Sequence, residues 1–440
     1  MKKILRALSA LLSLNILFAF LMSCSSGQRF EAVKFETGSM PSQKVKIRFI
    51  SSWGGADPKA GALQEILDRF VENNPEFEVI NESMFGEDFL HKIKTDFASG
   101  NNPDVFGLWP GSDIRALVQA GKVAELTEIL DKDALWKGSF GERGWEYTTF
   151  DGKVYGLPLE IIYECLFINR DIFDKYDVKV PKDYEELKAA VKAFKSVGIV
   201  PIAYNSMAEG TYLYQNIVAR LGGKAGAEKP IEEGKINDCY VNAMNYVKEL
   251  YGMGAFPEGA FKMTSRDRNE LFVSKRAAMI VQGSWFLGSF DKTDTTVDII
   301  PFPYIEGGKS RRSSLIFGMG NGVFHMSSTA WADAAKKNAA LKLMKTLTSK
   351  ETASLLSERT GMISNVDVGD LKTYNGQLKK NERVLLESAE ELIGPPDSFV
   401  DRNIWEGTIV KDFPFVLEGE KSAEALWEDV KKKYEELDVY

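Results

Sequence analysis

Large aromatic and acidic side chains occur in predicted loops, where they are available to a bound molecule. Trp53 lies in a loop rich in serine and glycine, and Trp109 directly precedes a proline and a glycine. Core packing explains such tryptophans poorly, although each could instead staple its loop to the protein surface. Asp113 follows a predicted strand, where it could contact a ligand or cap the next helix. Glu160 closely follows a Leu-Pro pair. Ionised carboxylates such as these accept strong hydrogen bonds from hydroxyl groups.

This combination of side chains suits a carbohydrate, which offers flat C–H faces to aromatic rings and hydroxyl groups to carboxylates. Asp113 and Glu160 could also serve as the two carboxylates of a glycosidase. Other chemistry has little support. His91 and His325 are the only histidines, and the HExxH, CxxC and GxSxG motifs are absent. Segment 308–310 is Gly-Lys-Ser, like the end of a phosphate-binding loop, but the glycine that such a loop has five positions earlier is Pro303 here. We therefore expect neither a metal site nor a cofactor.

The predicted elements that position these residues alternate between strand and helix. Residues 44–50 alternate as a strand, and apolar residues at helical spacing follow up to an Asn-Asn-Pro stop. A second strand, a second helix and a third strand at 105–108 come next. This order predicts a mostly parallel sheet with helices on both faces. Ligands bind beyond the carboxyl ends of such strands, where Trp53 and Trp109 lie. A second α/β unit begins near residue 156.

The first 43 residues have the pattern of a leader and a tether. Three basic residues precede an apolar stretch at 7–22, which is too short and interrupted to span a membrane comfortably. Ser23 and Cys24 then resemble a bacterial lipobox. We expect residues 1–23 to be a signal peptide and 24–43 a tether that begins at lipidated Cys24. The alternative is an ordinary signal peptide with a chance cysteine.

Length and charge narrow the function further. About 400 residues remain after the tether, which predicts two domains or lobes. The formal net charge of −8 argues against nucleic acid as a partner, because nucleic acid attracts basic surfaces. Cys165 and Cys239 could form a disulfide, but two buried free thiols are favoured in a chain with a core of this size.

An ordered set of short motifs extends over most of the chain. Segment 97–105 contains Phe-Ala-Ser-Gly followed by Pro-Asp-Val, and segment 151–158 is DGKVYGLP. Segment 272–285 is the most specific, with FVSKRAAM leading to Gly-Ser-Trp. Together these motifs resemble the bacterial extracellular solute-binding protein family 1, which includes maltose-binding protein.

The resemblance implies a two-lobed, periplasmic-binding-protein-like α/β fold of type II, with a ligand cleft at the hinge. Each lobe is expected to hold a mostly parallel sheet flanked by helices. The implied N-terminal lobe comprises residues 44–157 and 303–350, and the C-terminal lobe comprises 158–302 and 351–440. Ligand binding would close the lobes by shifting a conformational equilibrium.

The resemblance also implies site residues. Trp285 falls where the family commonly has a stacking tryptophan, and Trp405 where it often has a second aromatic residue. Tyr163 and Tyr212 could extend the platform, although the register between residues 158 and 169 is open. Glu160 could contact ligand or only brace the hinge. Trp285 could instead pack in the lobe core.

The function implied by the resemblance is that of an extracytoplasmic, lipid-anchored carbohydrate-binding protein, at the periplasm or the outer cell surface. It would deliver a sugar to the permease subunits of an ABC transporter and would not be an enzyme. The alternatives are a binder of another solute, such as a polyamine, a phosphate ester or iron, and an enzyme that acts on glycans.

Overall fold

The computed structural model describes residues 44–291, 294–369 and 376–437. The predicted leader, Cys24 and the tether lie outside the described residues. No helix in these three ranges is both long and apolar enough to cross a membrane.

The described part of the chain contains sixteen strands. In chain order they are β1 (Val45–Ile50), β2 (Phe77–Asn81), β3 (Val105–Gly107), β4 (Thr149–Phe150), β5 (Lys153–Val154), β6 (Leu157–Pro158), β7 (Glu160–Asn169), β8 (Val200–Ile202), β9 (Ile231–Glu232), β10 (Lys235–Ile236), β11 (Ala277–Gly283), β12 (Val297–Ile300), β13 (Leu315–Met319), β14 (Val323–Met326), β15 (Ile363–Ser364) and β16 (Leu392–Ile393).

Helices connect and cover these strands. The α-helices of the described ranges are Ala60–Asn73, Gly86–Ser99, Ser112–Gln119, Thr127–Lys132, Ala134–Gly138, Glu142–Thr148, Arg170–Lys175, Tyr184–Ser196, Thr211–Ala227, Asp238–Gly252, Ser265–Val273, Ser328–Ala332, Ala334–Leu347, Lys350–Thr360, Gln377–Glu387, Arg402–Ile404, Lys411–Glu418 and Ala423–Leu437. Short 3₁₀ turns span Ala208–Gly210, Ala260–Lys262, Ser284–Ser289 and Pro396–Phe399, and a π-helical turn spans Trp405–Val410.

The first sheet has the strand order β2-β1-β3-β14-β6. Strand β1 pairs in parallel with β2 and β3, whereas β14 is antiparallel to both β3 and β6. Successive side chains of a strand face opposite sides, so Phe49 and Ile50 enter different apolar clusters. The helix Ala60–Asn73 covers the Phe49 face, and the helix Gly86–Ser99 covers the Ile50 face.

The second sheet is built around β7, which lies between β13 and β11 in the order β16-β13-β7-β11-β8. Strands β12 and β15 also pair with β7, and all four partners of β7 are antiparallel to it. The two-lobed α/β architecture is therefore as expected, but the sheets are mixed rather than mostly parallel. Two parallel neighbours in one sheet need a long crossover connection between them. Strand β14 has no such connection, because it enters the first sheet directly from β13 of the second sheet and pairs antiparallel to β3.

The strand pairing moves two of the expected lobe boundaries. Strand β13 belongs to the second sheet and β14 to the first, so the chain crosses between them at residues 320–322 rather than at 302/303. Ala353 and Leu356 pack in the apolar cluster of the first lobe. The third crossing therefore follows the helix Lys350–Thr360 rather than preceding it.

The three crossing segments are hydrogen-bonded to one another. The amide of Leu159 donates to the carbonyl of Gly322 at 3.0 Å, and the amide of Asn365 donates to the carbonyl of Leu159 at 2.7 Å. The segments thus form a connected hinge between the two sheets. Cys165 and Cys239 are buried free thiols, as favoured from the sequence.

A buried histidine lies beside this hinge in β14. The Nδ1 of His325 is 2.8 Å from the carbonyl oxygen of Tyr155, and its ring stacks on Phe106 with centroids 5.3 Å apart. Burial disfavours the imidazolium and lowers the pKa of His325 from 6.5 to about 4.

We predict that His325 contributes to acid sensitivity. The unfolded chain binds a proton at this side chain below about pH 6.5, but the folded chain does so only near pH 4. The free energy of unfolding should therefore fall as the pH decreases through this window, by up to about 3 kcal/mol from this group. Urea unfolding of the wild type and His325→Gln at pH 7 and pH 4.5 tests this. Equal losses of stability in the two proteins would contradict it.

Candidate ligand cleft between the two sheets

A partly open cavity lies at the hinge and is lined by residues of both lobes. It encloses about 1060 Å³ of space free of protein atoms, its mouth included. The aromatic side chains in its wall are Trp53, Phe85, Trp109, Tyr212 and Trp285. Four of the eight site residues predicted from the sequence, Trp53, Trp109, Tyr212 and Trp285, are among them.

The tryptophans reach the cavity because their loops follow strand ends. Trp53 follows β1, Trp109 follows β3 and Trp285 follows β11. Trp53 is buried edge-on against Phe324, with ring centroids 5.5 Å apart. These positions agree with the expectation that ligands bind beyond the carboxyl ends of strands.

Trp285 and Tyr212 form the aromatic wall of the second lobe. Their rings meet edge to face with centroids 5.6 Å apart, and both are only partly buried. A Cβ at Gly283 would lie 2.0 Å from the indole of Trp285, so glycine lets the ring fold back over the strand end. The alternative that Trp285 packs wholly in the core does not hold.

The alternation of β7 decides which of its side chains reach the cavity. Glu160, Ile162 and Glu164 line the cavity. Tyr163 lies on the opposite face, is fully buried, and donates a hydrogen bond to Glu382 at 3.1 Å. The prediction of Tyr163 as a cavity residue was therefore wrong by one position, and Glu164 occupies the place expected for it.

Asp113 acts at the wall of the cleft rather than inside the cavity. Its carboxylate accepts two hydrogen bonds from the guanidinium of Arg402, at 2.8 and 2.6 Å. Asp113 comes from the first lobe, and Arg402 from the second. Arg402 lines the cavity and Asp113 does not, so the predicted ligand contact of Asp113 is replaced by an ion pair that links the lobes.

Trp405 is part of the core of the second lobe. It is fully buried and packs near Tyr214, with ring centroids 6.0 Å apart. The prediction that Trp405 contacts ligand was therefore wrong. Arg402, which begins the same helical segment, reaches the cavity instead.

A buried lysine joins the first lobe to the hinge. The Nζ of Lys59 is 3.1 Å from Glu160 and 3.7 Å from Asp57, and all three side chains are buried. Glu160 also accepts a hydrogen bond from the amide of Gly322 at 3.0 Å. Burial would lower the pKa of Lys59, but the charges of Asp57 and Glu160 outweigh burial and raise it. Glu160 therefore lines the cavity and also braces the hinge.

Glu164, Glu209 and Asp397 are further acidic groups in the cavity wall. Burial raises the pKa of Glu164 well above its ordinary value, and the nearby Asp397 adds to the effect. Glu209 pairs with Arg268 at 2.8 Å. Within the described residues, no group of three or more His, Cys, Asp or Glu side chains is placed to hold a metal ion.

The family model for bacterial extracellular solute-binding proteins matches residues 56–354, which is more than half of the chain. The chain belongs to this family. The matched segment contains Trp109, Tyr212 and Trp285 of the cleft. It begins after Trp53 and ends before Asp397 and Arg402.

Two curated relatives in this family come from Bacillus subtilis. The chain is 26% identical to the maltodextrin-binding protein MdxE over 56% of its own length and 58% of that protein. It is also 26% identical to a galactooligosaccharide-binding protein, over 51% of its own length and 53% of that protein. The chain thus matches just over half the length of these relatives.

Solved structures extend the likeness of fold to most of the chain. A protein studied for xylan utilization by Caldanaerobius polysaccharolyticus has a TM-score of 0.78 at 24% identity, covering 88% of this chain and all of that one. A chitin oligosaccharide binding protein has a TM-score of 0.78 at 23% identity, covering 89% and 98%. The two-lobed fold of solute-binding proteins is therefore shown.

Sequence reasoning missed several charged residues of the cleft. Lys59 follows an Asp-Pro pair, which is typical of a helix start and gives no sign of a buried charge. Glu164 could have been found, because it alternates with Glu160 along one strand. Asp397 and Arg402 carried no sequence signal, since their place in the cleft depends on how the last third of the chain returns to the hinge.

We predict that Lys59→Met strongly destabilises this solute-binding protein. The substitution keeps much of the side-chain volume but leaves Asp57 and Glu160 buried without their cation, a loss of typically about 3–5 kcal/mol. The exposed pair of Lys94 with Glu406 provides the control, and Lys94→Met should cost less than about 1 kcal/mol. Urea unfolding at pH 7 measures both, and similar effects of the two substitutions would contradict the assignment.

Proposed function

We propose that the cleft binds a carbohydrate and that the protein delivers it to an ABC-type permease. The supporting observation is the wall of the cavity, in which aromatic rings from both lobes lie among carboxylates. Trp53 and Trp109 come from the first lobe, and Tyr212 and Trp285 from the second. Such rings match the C–H faces of a pyranose, and the carboxylates match its hydroxyl groups.

The named relatives support the same ligand class, since the two described above are named for maltodextrin and galactooligosaccharide. Membership of a family of extracellular solute-binding proteins places the chain outside the cytoplasm. Its relatives are binding proteins rather than enzymes. Asp113, one of the two carboxylates considered for a glycosidase, is engaged by Arg402 outside the cavity, which removes the support for that pair.

A thermal-shift screen tests the ligand class. Full-length protein would be mixed with mono- and oligosaccharides, and with spermidine, glycerol 3-phosphate and ferric citrate as non-sugar solutes. A ligand at 100 times its dissociation constant raises the stability of the folded state by about 2.7 kcal/mol. A shift with a carbohydrate supports the proposal, and a shift with a non-sugar solute alone would refute it.

We predict that Trp285→Ala weakens carbohydrate binding by about 2 kcal/mol or more, roughly thirtyfold in dissociation constant. Trp405→Ala is the matched control, because Trp405 is buried in the lobe core away from the cavity. It should lower the free energy of unfolding by about 3–5 kcal/mol and leave the affinity of the folded protein almost unchanged. Calorimetric titration and thermal melting of both variants would separate these effects, and unchanged affinity in Trp285→Ala would remove that ring from the site.

We also propose that lipid on Cys24 anchors the protein to the cell membrane, as the lipobox pattern of the leader indicates. Cys24→Ala should release the protein into the soluble fraction or stop its processing, because the substitution removes the thiol that would carry the lipid anchor. Cell fractionation with metabolic fatty-acid labelling measures the result. Normal processing and continued membrane attachment of the variant would show that the anchor lies elsewhere.

A further inference from the structure

The carboxyl groups around the cavity outnumber the basic groups that pair with them. Lys59 forms ion pairs with both Asp57 and Glu160, and Arg402 forms ion pairs with both Asp113 and Asp397. Each of these two cations therefore faces two carboxylates. Glu209, a further carboxylate of the cavity wall, pairs with Arg268.

Glu164 is the carboxylate left without a cation. It is 2% exposed and lines the cavity. Its hydrogen bond comes from the amide of Asn216 at 2.9 Å, and no salt bridge within the described ranges joins it to a basic side chain. A carboxyl group buried without a positive partner favours its neutral form, and a cation brought into the cavity by a ligand would stabilise the ionised form and pair with it.

The surroundings of Glu164 combine this carboxylate with the aromatic wall. In the ladder of β7 and β11, Glu164 lies opposite Gly283, two residues before Trp285. Asn216, which donates to Glu164, also donates to the carbonyl of Tyr212, one helical turn earlier. The ring of Tyr212 meets that of Trp285. A cation at Glu164 would therefore lie close to a surface on which a sugar ring can pack, and aromatic faces themselves attract cations.

One donor in the cavity wall lacks a hydrogen-bond partner within the described residues. The indole Nε1 of Trp53 is buried and makes no hydrogen bond within the part of the chain that the structure describes. Trp53 itself is 1% exposed and lines the cavity. An unpaired buried N–H costs stability, and a hydroxyl or ring oxygen of a ligand would satisfy it. This observation points, independently of Glu164, to a ligand that carries acceptor oxygens.

We propose that the preferred ligand is an amino sugar with a free ammonium group, which Glu164 binds while the sugar ring packs on Trp285 and Tyr212. This proposal rests on the proposed function and specifies its ligand class. A neutral sugar hydroxyl brings no charge that would ionise the buried carboxyl of Glu164, so the contact would be an ordinary hydrogen bond and not an ion pair. The same holds for an N-acetylated amine, which is also uncharged. A linear polyamine would supply the charge, but it lacks the acceptor oxygens and the ring.

The test compares three disaccharides that differ only in the substituent at C2 of each ring. Calorimetric titration of full-length protein at about pH 6.5, where an amine is largely protonated, would use β-1,4-linked glucosamine disaccharide, its N-acetylated form and cellobiose. Hydrogen bonds that involve a charged group are strong enough for the amine to bind at least about tenfold more tightly than the other two. Glu164→Gln keeps the shape of the side chain and should remove most of that preference.

Glu382→Gln is the matched control. Glu382 is also a buried carboxylate but lies outside the cavity, against Tyr163 and Lys379. Its substitution should leave the preference for the amine intact. A preference that survives in Glu164→Gln would overturn the role of Glu164. Cellobiose or the acetylated sugar binding as tightly as the amine would overturn the inference but leave the proposed function standing. Binding of spermidine with no binding of any sugar would contradict the proposed function itself.

Discussion

The placement of one buried charge constrains the rest of the cleft. Lys59 lies in the junction of the two lobes, with Asp57 on one side and Glu160 on the other. Removing these charges from water carries a large desolvation cost, which their mutual attraction offsets only in a narrow range of geometries. The loop that follows β1 and the first residue of β7 are therefore held together. Trp53 is part of that loop, and the ammonium group of Lys59 lies 5.3 Å from the centroid of its ring.

Strand β7 extends from this buried cluster along the wall of the cavity. It starts at Glu160, within the hinge, and runs as the central strand of the second sheet. Because its side chains alternate, Glu160 and Glu164 face the cavity while Tyr163 supports the opposite face. The same strand thus fixes the hinge, supplies two carboxylates to the cleft and fills the core behind them. The ion pair between Asp113 and Arg402 joins the lobes at a separate point of the cleft wall.

Local patterns were sufficient to predict the residues whose position depends on a single strand end. Trp53 and Trp109 each follow a predicted strand of the first sheet, so their place at its carboxyl edge was predictable, whereas Trp285 of the second sheet was placed by the resemblance to the family. Tyr163 and Glu164 are neighbours in β7, and only the alternation counted from Glu160 shows that Glu164 faces the cavity and Tyr163 does not. Trp405 and Asp113 depend on how separate segments pack, which no local pattern specifies. The lobe boundary at 302/303 was misplaced for the same reason, because the pairing of β13 with β7 is long-range.

The central claim is that one solute contacts both lobes at the hinge. Hydrogen–deuterium exchange with and without a saturating oligosaccharide, chosen as the tightest binder in the calorimetric titrations, tests this claim most directly. Amides around Trp53 in the first lobe and around Trp285 in the second should both gain protection, because a bound solute holds the lobes together and excludes water from each wall. The remote hairpin of β9 and β10 should exchange as before. Protection confined to one lobe, or found only away from the hinge, would contradict the account.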